Sequence, residues 1–324
     1  MTERWCIVGG AGFIGSHFVD ALLDNSAVKR VTIFDNFSSG RTCHFEHHLR
    51  NSRLHVIRGD VKDMAKLEEA IGGHDVVIHL ASNPDIARAV TDPDIDFREG
   101  TMLTRNVVEA MRATGVRQIL YASGSGVYGE LGETEATEDF GPLRPISTYG
   151  ASKLAGEALI TSYCYMFGFR GCAFRFGNVV GARQTHGVGF DFVRQLMTNP
   201  SQLRILGDGR QSKSYIHVDD VVNAVLLAHQ KGVTGFEVYN VATGDYITVT
   251  EIAEIVLDTL GYRRGSTTFV YSGGNRGWKG DVPVVRLNTN RIRALGWTCR
   301  RRTADAIRAS IEALVTEVQP AAAM

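Results

Sequence analysis

The sequence has no excess of charge of either sign and no long hydrophobic run. Its 35 Lys+Arg residues balance 35 Asp+Glu residues, so the formal net charge is +0 at pH 7. A basic excess of the kind that concentrates proteins on phosphate backbones or anionic lipids is therefore missing. No stretch approaches the ~18 consecutive apolar residues of a membrane-spanning helix. We expect neither nucleic acid nor a membrane as a partner.

Cysteine is also scarce. The five cysteines, Cys6, Cys43, Cys164, Cys172 and Cys299, are odd in number, far apart and contain no C-x-x-C pair. This pattern predicts reduced thiols and not a disulfide framework. The chain begins with a strand pattern and not with a charged region followed by an apolar one. Both observations favour a cytoplasmic protein.

Strand and helix patterns alternate through the first half of the chain. The predicted strands are 5–8, 30–34, 54–58, 76–80, 118–122 and 171–176, and the predicted helices are 16–23, 64–71, 101–113 and 149–167. Such alternation is typical of βαβ units. We therefore predict an α/β fold with a Rossmann-like, doubly wound parallel sheet.

The alternation gives way to loops after residue 175. Short helical patterns remain at 190–197, 218–229, 249–260 and 304–315. We interpret 1–174 as the Rossmann domain, with 214–242 returning to it. Segments 175–213 and 243–324 are interpreted as a smaller C-terminal substrate-binding region, whose terminal residues 318–324 are expected to fray.

Glycine is abundant, at 35 of 324 residues against about 7% in average proteins. One cluster, GGAGFIG at 9–15, stands between the first strand and the first helix. Glycine permits a tight turn and lets a pyrophosphate approach the backbone, and the helix N-terminus offers amide donors. Asp35 ends the second strand 20 residues after Gly15, where a carboxylate can accept ribose hydroxyls and repels a 2′-phosphate. These features predict binding of NAD and not NADP.

Tyr149 and Lys153 are four residues apart and so share one face of a predicted helix. A free phenol has a pKa near 10 and is a poor base at neutral pH. A nearby cation, joined by the positive nicotinamide of NAD⁺, favours the phenolate. The pair therefore predicts a base that removes a proton from a sugar or alcohol hydroxyl.

With these motifs the chain resembles the extended short-chain dehydrogenases/reductases, and within them the nucleotide-sugar epimerases and dehydratases. The resemblance rests on GGAGFIG (9–15), VYG (127–129), YGASK (149–153), RFGNVVG (175–181), ILGDGRQSKSYIHVDD (205–220) and RGWKGDVP (276–283). The THGVGFDF stretch at 185–192 is most similar to UDP-glucose 4-epimerases. The resemblance implies an NAD-dependent isomerase.

The resemblance also implies roles for individual residues. Residues implied to bind NAD are Gly9, Gly12, Phe13, Ile14, Asp35, Asn36, Asp60, Val61, Leu80, Ala81, Tyr149 and Lys153. Tyr149 is implied to be the base and Lys153 its pKa-setting neighbour. Residues implied to bind the substrate are Ser125, Asn178, Arg183, Lys213 and Arg276. Lys213 stands where the family usually has arginine, so it keeps the charge but loses the bidentate fork.

The chain departs from the family at Gly124. The family has Ser or Thr four residues before the tyrosine of VYG, where it bridges the sugar 4-hydroxyl and the catalytic tyrosine. Here glycine is flanked by Ser123 and Ser125. We expect Ser125 to supply the hydroxyl; Ser123, or catalysis without the bridge, are the alternatives.

The same segment separates the possible reactions. The 4,6-dehydratases carry an Asp-Glu pair just before VYG for elimination of water, whereas this chain has Ser125-Gly126. A 4-epimerase needs no such pair. Tyr149 accepts the O4 proton as hydride moves from C4 to NAD⁺. The 4-keto sugar then rotates, and hydride returns to its opposite face.

We therefore expect 4-epimerisation of a UDP-sugar of the UDP-glucose/UDP-galactose type. Three alternatives stay open: UDP-glucuronate 4-epimerisation with Arg183 pairing the carboxylate, a dehydratase or 4-ketoreductase, and a non-catalytic protein that binds NAD and nucleotide sugar. The resemblance further implies a homodimer packed through 101–113 and 149–167.

A metal site is not expected. His44, His47 and His48 lie close together in the sequence, but the sequence shows no further ligand held in fixed geometry beside them. We interpret them as loop or surface residues.

Overall fold

The computed structural model describes residues 3–263 and 265–318. The predicted fraying at the C-terminus concerns mainly residues 319–324, which lie outside the described residues.

The helices and strands follow the predicted alternation. The strands are β1 Glu3–Val8, β2 Val28–Asp35, β3 Leu54–Arg58, β4 Val76–His79, β5 Gln118–Gly124, β6 Arg170–Phe176, β7 Asn178–Val180, β8 Gln202–Ile205, β9 Ser212–Lys213, β10 Tyr215–His217, β11 Phe236–Val241, β12 Ile247–Thr248 and β13 Thr268–Tyr271. The helices are α1 Phe13–Asp24, α2 Met64–Ile71, α3 Met102–Thr114, α4 Thr148–Phe167, α5 Val188–Thr198, α6 Val218–Lys231, α7 Val249–Thr259, α8 Asn290–Ala294 and α9 Thr303–Val318.

Seven strands form a parallel central sheet in the order β11-β6-β5-β4-β1-β2-β3. Its central strands are buried on both faces, which requires runs of apolar residues without alternation. In β1, for example, Trp5, Cys6, Ile7 and Val8 are all at most 2% exposed. The predicted Rossmann-like fold is thus confirmed. Because β1 pairs with both β2 and β4, the strand order reverses at β1, where ligands bind in such sheets.

Helix α1 begins three residues earlier than the sequence pattern predicts. Its first turn consists of Phe13, Ile14 and Gly15, and the glycine interrupts the apolar periodicity used to place its start. Helix α4 agrees better with the prediction, because both of its ends carry local signals. Ser147 accepts a hydrogen bond from the Gly150 amide at its start, and Gly168 adopts a left-handed conformation (φ 67°) after its end.

The chain forms two compact units. Unit 1 comprises Met1–Val127, Ser147–Arg175 and Val222–Tyr239, as far as these ranges are described. Its core packs α2, α3 and α4 against the sheet around Val107, Met111, Ile119 and Ile160. Unit 1 therefore contains most of the central sheet and every residue predicted to bind NAD.

Unit 2 comprises Tyr128–Ile146, Phe176–Val221 and Asn240–Met324, with the same restriction. Its core is formed by α5, α7 and α9 around Phe192, Ile252, Val256 and Ile307. The substrate-binding role predicted for this part of the chain remains a proposal.

Arg175, residues 240–242 and two longer segments fall into a different unit from the one that the sequence division gave them. Residues 128–146 were placed in the first domain, but Ala136 pairs with Leu287 in an isolated β-bridge and the Tyr128 hydroxyl donates to Asn240 Oδ1 at 2.8 Å. Residues 214–221 were placed there too, but β10 pairs with β7 of unit 2. Both assignments depend on contacts between residues far apart in the sequence.

Within the part of the chain that the structure describes, no helix is long and apolar enough to cross a membrane.

Candidate functional site

The turn from β1 into α1 brings backbone atoms unusually close together. Gly9 has a φ of 87°, and a Cβ there would lie 2.7 Å from the Ala81 nitrogen; a Cβ on Gly15 would overlap the Gly9 carbonyl oxygen. Side chains are therefore excluded at both positions by the protein's own backbone.

Gly12 differs from these two glycines. It precedes the first residue of α1 with a φ of −75°, and the nearest atom to a Cβ there, the Gly9 oxygen, would be 3.4 Å away. A Cβ at Gly12 would thus be tolerated by the fold, and it would fill the space beside the α1 N-terminus. Phe13 and Ile14 form the first turn of α1, where amides lack acceptors within the helix and favour an anion. This cradle fits a pyrophosphate.

Asp35 lies at the carboxyl end of β2, next to this turn. Its carboxylate accepts hydrogen bonds from the Ala11 amide at 3.0 Å and the Phe37 amide at 2.8 Å. Burial raises the pKa of Asp35, and the two amides oppose this effect. The amides also orient the carboxylate, as recognition of a ribose would require.

The other residues predicted to contact the cofactor follow neighbouring strands. Asn36 donates to Asp60 Oδ2 at 3.3 Å, and Val61 is buried. After β4, the amides of Leu80 and Ala81 both donate to the Val8 oxygen, at 2.9 and 3.0 Å. The carboxyl ends of β1, β2, β3 and β4 thus carry this set together within unit 1.

Tyr149 is the second residue of α4, and its hydroxyl hydrogen-bonds to the Ser82 side chain. Burial raises the pKa of Tyr149 to about 12, and the Ser82 bond partly opposes this rise. Sequence reasoning missed Ser82, although it directly follows the predicted cofactor residues Leu80 and Ala81.

Lys153 lies one turn further along α4 and is 4% exposed. Its Nζ donates to the Ala122 carbonyl at 2.8 Å and lies 5.4 Å from the Tyr149 ring centroid. Burial lowers the pKa of Lys153 to about 8. In the chain alone, therefore, burial raises the pKa of Tyr149, and the group that lowers it is Ser82 and not the neighbouring cation. The expectation of a lowered phenol pKa concerns the NAD⁺-loaded protein, which adds a second positive charge.

Asp96 is a buried carboxylate that the sequence did not identify. It is 1% exposed and accepts hydrogen bonds from Thr148 Oγ1 at 2.6 Å and Asn83 Nδ2 at 2.9 Å. Its negative charge raises the pKa values of both Tyr149 and Lys153. Asp96 lies between the predicted strands and helices, so no local pattern could have revealed it.

The two serines beside Gly124 have different surroundings. Ser123 donates to Glu157 Oε1 at 2.5 Å, and Glu157 forms a buried ion pair with Arg175 at 2.7 Å. Ser125 is half-buried and opens a short helical turn, Ser125–Tyr128. A Cβ on Gly124 would meet no atom within 4 Å. The hydroxyl of Ser123 is thus engaged in the buried network, which favours Ser125 as the substitute.

Two of the residues predicted to bind substrate meet in unit 2. Lys213 Nζ pairs with Asp281 Oδ1 at 2.5 Å. Arg276 donates to the Asp281 carbonyl at 2.7 Å and forms an ion pair with Glu130 at 2.7 Å. Lys213 and Arg276 therefore meet around Asp281, and each of the two cations is paired with a carboxylate.

Asn178 and Arg183 have other contacts within unit 2. The Asn178 side chain hydrogen-bonds to Tyr215, whose pKa burial raises to about 12. Arg183 adopts a left-handed conformation (φ 65°), and its amide donates to Glu317 Oε1 at 2.8 Å. None of these contacts joins Arg183 to the Lys213–Arg276 pair.

The glycine turn generates a test that separates binding from folding. Gly12→Ala is expected to lower NAD affinity about tenfold or more with little change in melting temperature, because its Cβ would fill the space assigned to the pyrophosphate without meeting the protein. Gly9→Ala, the matched control, is expected to destabilise the fold by about 1–3 kcal/mol. NAD content after purification, titration of the stripped protein and thermal unfolding measure these effects. Undiminished NAD affinity in Gly12→Ala would contradict the placement of the pyrophosphate.

Lys153 generates a second test. Between its folded pKa of about 8 and its ordinary value near 10.4, the unfolded chain binds a proton that the folded chain does not, so stability rises with pH. Below this window the buried charge is unfavourable. At about pH 7.5, NAD-free Lys153→Met is therefore expected to be more stable than NAD-free wild type. Its free energy of unfolding should be higher by at most about 3 kcal/mol.

This gain should shrink by about pH 10 as the unfolded lysine loses its proton. Urea unfolding at both pH values measures it. Lys231→Met, which changes an exposed lysine at the end of α6, is the control. A constant gain at both pH values would show that the charge on Lys153 is not its cause.

Comparison with known proteins identifies the enzyme family to which the chain is similar. A model of the NAD-dependent epimerase/dehydratase family matches residues 5–242. The UDP-glucose 4-epimerase of Corynebacterium glutamicum is 30% identical over 309 residues, which cover 90% of this chain and 89% of that protein.

Solved structures agree. A crystal structure of a UDP-galactose 4-epimerase has 37% identity and a TM-score of 0.84, covering 97% of this chain and 99% of that one. The UDP-glucuronic acid 4-epimerase of Bacillus cereus, in complex with UDP-glucuronic acid and NAD, has 26% identity and a TM-score of 0.87, with coverage of 97% and 99%.

Dehydratases are also among the similar proteins, so these likenesses do not select one substrate. They do support NAD as the cofactor, which the cradle at Gly12 and the carboxylate of Asp35 also favour. The chain belongs to the NAD-dependent epimerase/dehydratase family, and it is an NAD-dependent enzyme of the nucleotide-sugar epimerase class.

Proposed function

We propose that the protein catalyses 4-epimerisation of a UDP-sugar of the UDP-glucose/UDP-galactose type. The observation that carries this proposal is the turn that begins at Ser125, which packs against the start of the Tyr149 helix and bears a hydroxyl but no carboxylate. A Cβ on Gly126 would lie 3.5 Å from Gly150 Cα, so the turn lies close to the first residues of α4. With NAD as the hydride acceptor and donor, a base and a hydroxyl are the only further groups that oxidation and reduction at C4 require.

The protein's own residues handle the proton. When bound, NAD supplies the acceptor and donor of hydride at C4 of the sugar. Tyr149 accepts the O4 proton and returns it after the 4-keto sugar has rotated. Ser125 takes the bridging position between O4 and the phenol. The hydrogen bond from Ser82 favours the phenolate form of Tyr149.

Lys153 contributes a positive charge next to this phenol. Its pKa of about 8 leaves it protonated at neutral pH, and the bond to the Ala122 carbonyl holds the ammonium under the Tyr149 ring. Together with the positive nicotinamide ring, this charge opposes the burial that raises the pKa of Tyr149.

Elimination of water is disfavoured because the nearby buried carboxylates are already engaged. Glu157 is paired with Arg175 and accepts from Ser123, and Asp96 accepts from Thr148 and Asn83. A dehydratase needs an acid and a base that can exchange protons with substrate. This argument favours epimerisation over the dehydratase alternative.

The nucleotide part of the substrate is assigned to unit 2. We propose that Lys213 and Arg276 bind the diphosphate, with Asn178 beside it, when phosphate oxygens replace their carboxylate partners Asp281 and Glu130. Arg183 is the residue that would pair with a hexuronate carboxylate, so UDP-glucuronate is the second candidate substrate.

The protein is further proposed to form a homodimer through α3 and α4. Met166, near the end of α4, is 71% exposed, and a large exposed apolar side chain favours an interface. Sedimentation equilibrium would report a monomer if this proposal is wrong.

The substrate is tested by incubating the purified NAD-containing protein with UDP-glucose, UDP-glucuronate and dTDP-glucose, with products followed by NMR. UDP-galactose is the expected product. A C4 epimer of UDP-glucuronate alone would favour the second candidate, and accumulation of a 4-keto-6-deoxy sugar would show a dehydratase. No C4 epimer of either UDP-sugar would overturn the proposed function.

The base is tested by Tyr149→Phe, which is expected to lower kcat about 10²–10⁴-fold while NAD stays bound. Tyr165→Phe is the matched control, because Tyr165 lies on the same helix and is 87% exposed. Equal activity in Tyr149→Phe and Tyr165→Phe would show that Tyr149 is not the base.

The bridging hydroxyl is tested by Ser125→Ala and by the double variant Ser125→Ala/Gly124→Ser. We expect the first to lower kcat about 10²-fold and the second to recover most of it, since a side chain at Gly124 meets no neighbour. Full activity in Ser125→Ala would show that catalysis needs no bridge from Ser125.

A further inference from the structure

His47, His48 and Asp20 converge on one point of unit 1. The Nε2 atoms of His47 and His48 lie 3.0 and 2.8 Å from the same oxygen, Asp20 Oδ1. The two imidazole centroids are 4.1 Å apart. The sequence shows the adjacent histidines but not the third residue, because Asp20 lies on α1, 27 residues earlier.

These three side chains form a donor set that transition metals accept. Two imidazole nitrogens and one carboxylate oxygen lie within 4.8 Å of one another. Zinc binds such ligands at about 2.0–2.1 Å, so ligand atoms of a tetrahedral site are about 3.3 Å apart. The two N···O distances of 3.0 and 2.8 Å would have to open towards this value to admit an ion, and the two nitrogens lie within 4.8 Å of each other.

The site is also reachable from solvent. The side chains of Asp20, His47 and His48 are 27%, 49% and 16% exposed. Three protein ligands with an open side leave the fourth position for water. We propose that Asp20, His47 and His48 bind a divalent transition-metal ion such as Zn²⁺.

An ion at this site would link two segments of unit 1. His47 and His48 belong to a short helical turn, Glu46–His48, whereas Asp20 lies on the helix that begins at the dinucleotide turn. Just before this turn, the Arg41 amide and His44 Nδ1 both donate to the Ala11 carbonyl, at 3.0 and 2.9 Å. An ion at Asp20 would fasten the segment that packs on Ala11 to α1.

A metal-free arrangement is the competing explanation. Two neutral imidazoles can each donate Nε2–H to the carboxylate, which satisfies all three side chains without an ion. The two explanations differ in saturable metal binding, so they are separated by titration of the intact protein.

The test titrates chelator-treated, untagged full-length protein with ZnCl₂ by calorimetry, in a Cys43→Ser background because the exposed Cys43 thiol binds zinc by itself. We expect one equivalent of Zn²⁺ per chain and a higher melting temperature with zinc present. His48→Ala and Asp20→Asn should each weaken binding about tenfold or more. His55→Ala, which removes an exposed histidine of β3, should bind as the parent does.

Circular dichroism of the variants without metal confirms that they are folded, and Asp20→Asn preserves the shape of the side chain in any case. The proposal is overturned if the parent binds no equivalent of zinc saturably. It is equally overturned if folded Asp20→Asn and His48→Ala bind as tightly as His55→Ala. Because enzymatic activity is not the readout, the result is independent of the proposed function.

Discussion

The close backbone approach in the turn from β1 into α1 is the constraint on which the site depends. Gly9 and Gly15 admit no Cβ, because the Ala81 nitrogen and the Gly9 oxygen occupy that space. The turn places Ala11 so that its amide donates to Asp35 and its carbonyl accepts from Arg41 and His44. One peptide segment thus orients the helix N-terminus, the predicted ribose ligand and the loop after β2 together.

The second constraint is the burial of charge around Tyr149. Lys153 and Asp96 are both almost fully buried, and each is held by hydrogen bonds to neutral groups of the protein. Charges in such surroundings act strongly on one another because water does not screen them. Burial raises the pKa of Tyr149 to about 12 and lowers the pKa of Lys153 to about 8. The chain therefore holds a neutral phenol whose ionisation depends on the positive charge that a bound cofactor adds.

Local patterns predicted much of the fold. The β3 and α2 bounds agree with the structure residue for residue, because turn residues and changes of periodicity mark their ends. The start of α1 was placed three residues late, because Gly15 breaks the apolar pattern. Residues 128–146 lie in unit 2 and not with the predicted first domain, since the bridge between Ala136 and Leu287 joins segments that no local pattern connects.

The sequence by itself determined the alternating fold, the glycine turn with Asp35, and the Tyr149–Lys153 pair. Each of these depends on short spacing, and spacing within one strand, turn or helix dictates which side chains are neighbours. Only the tertiary structure decided that Ser82 meets the phenol, that Asp96 lies among the buried charges, and that Asp20 joins His47 and His48. Those neighbours come from different segments, and the order of strands in the sheet brings them together.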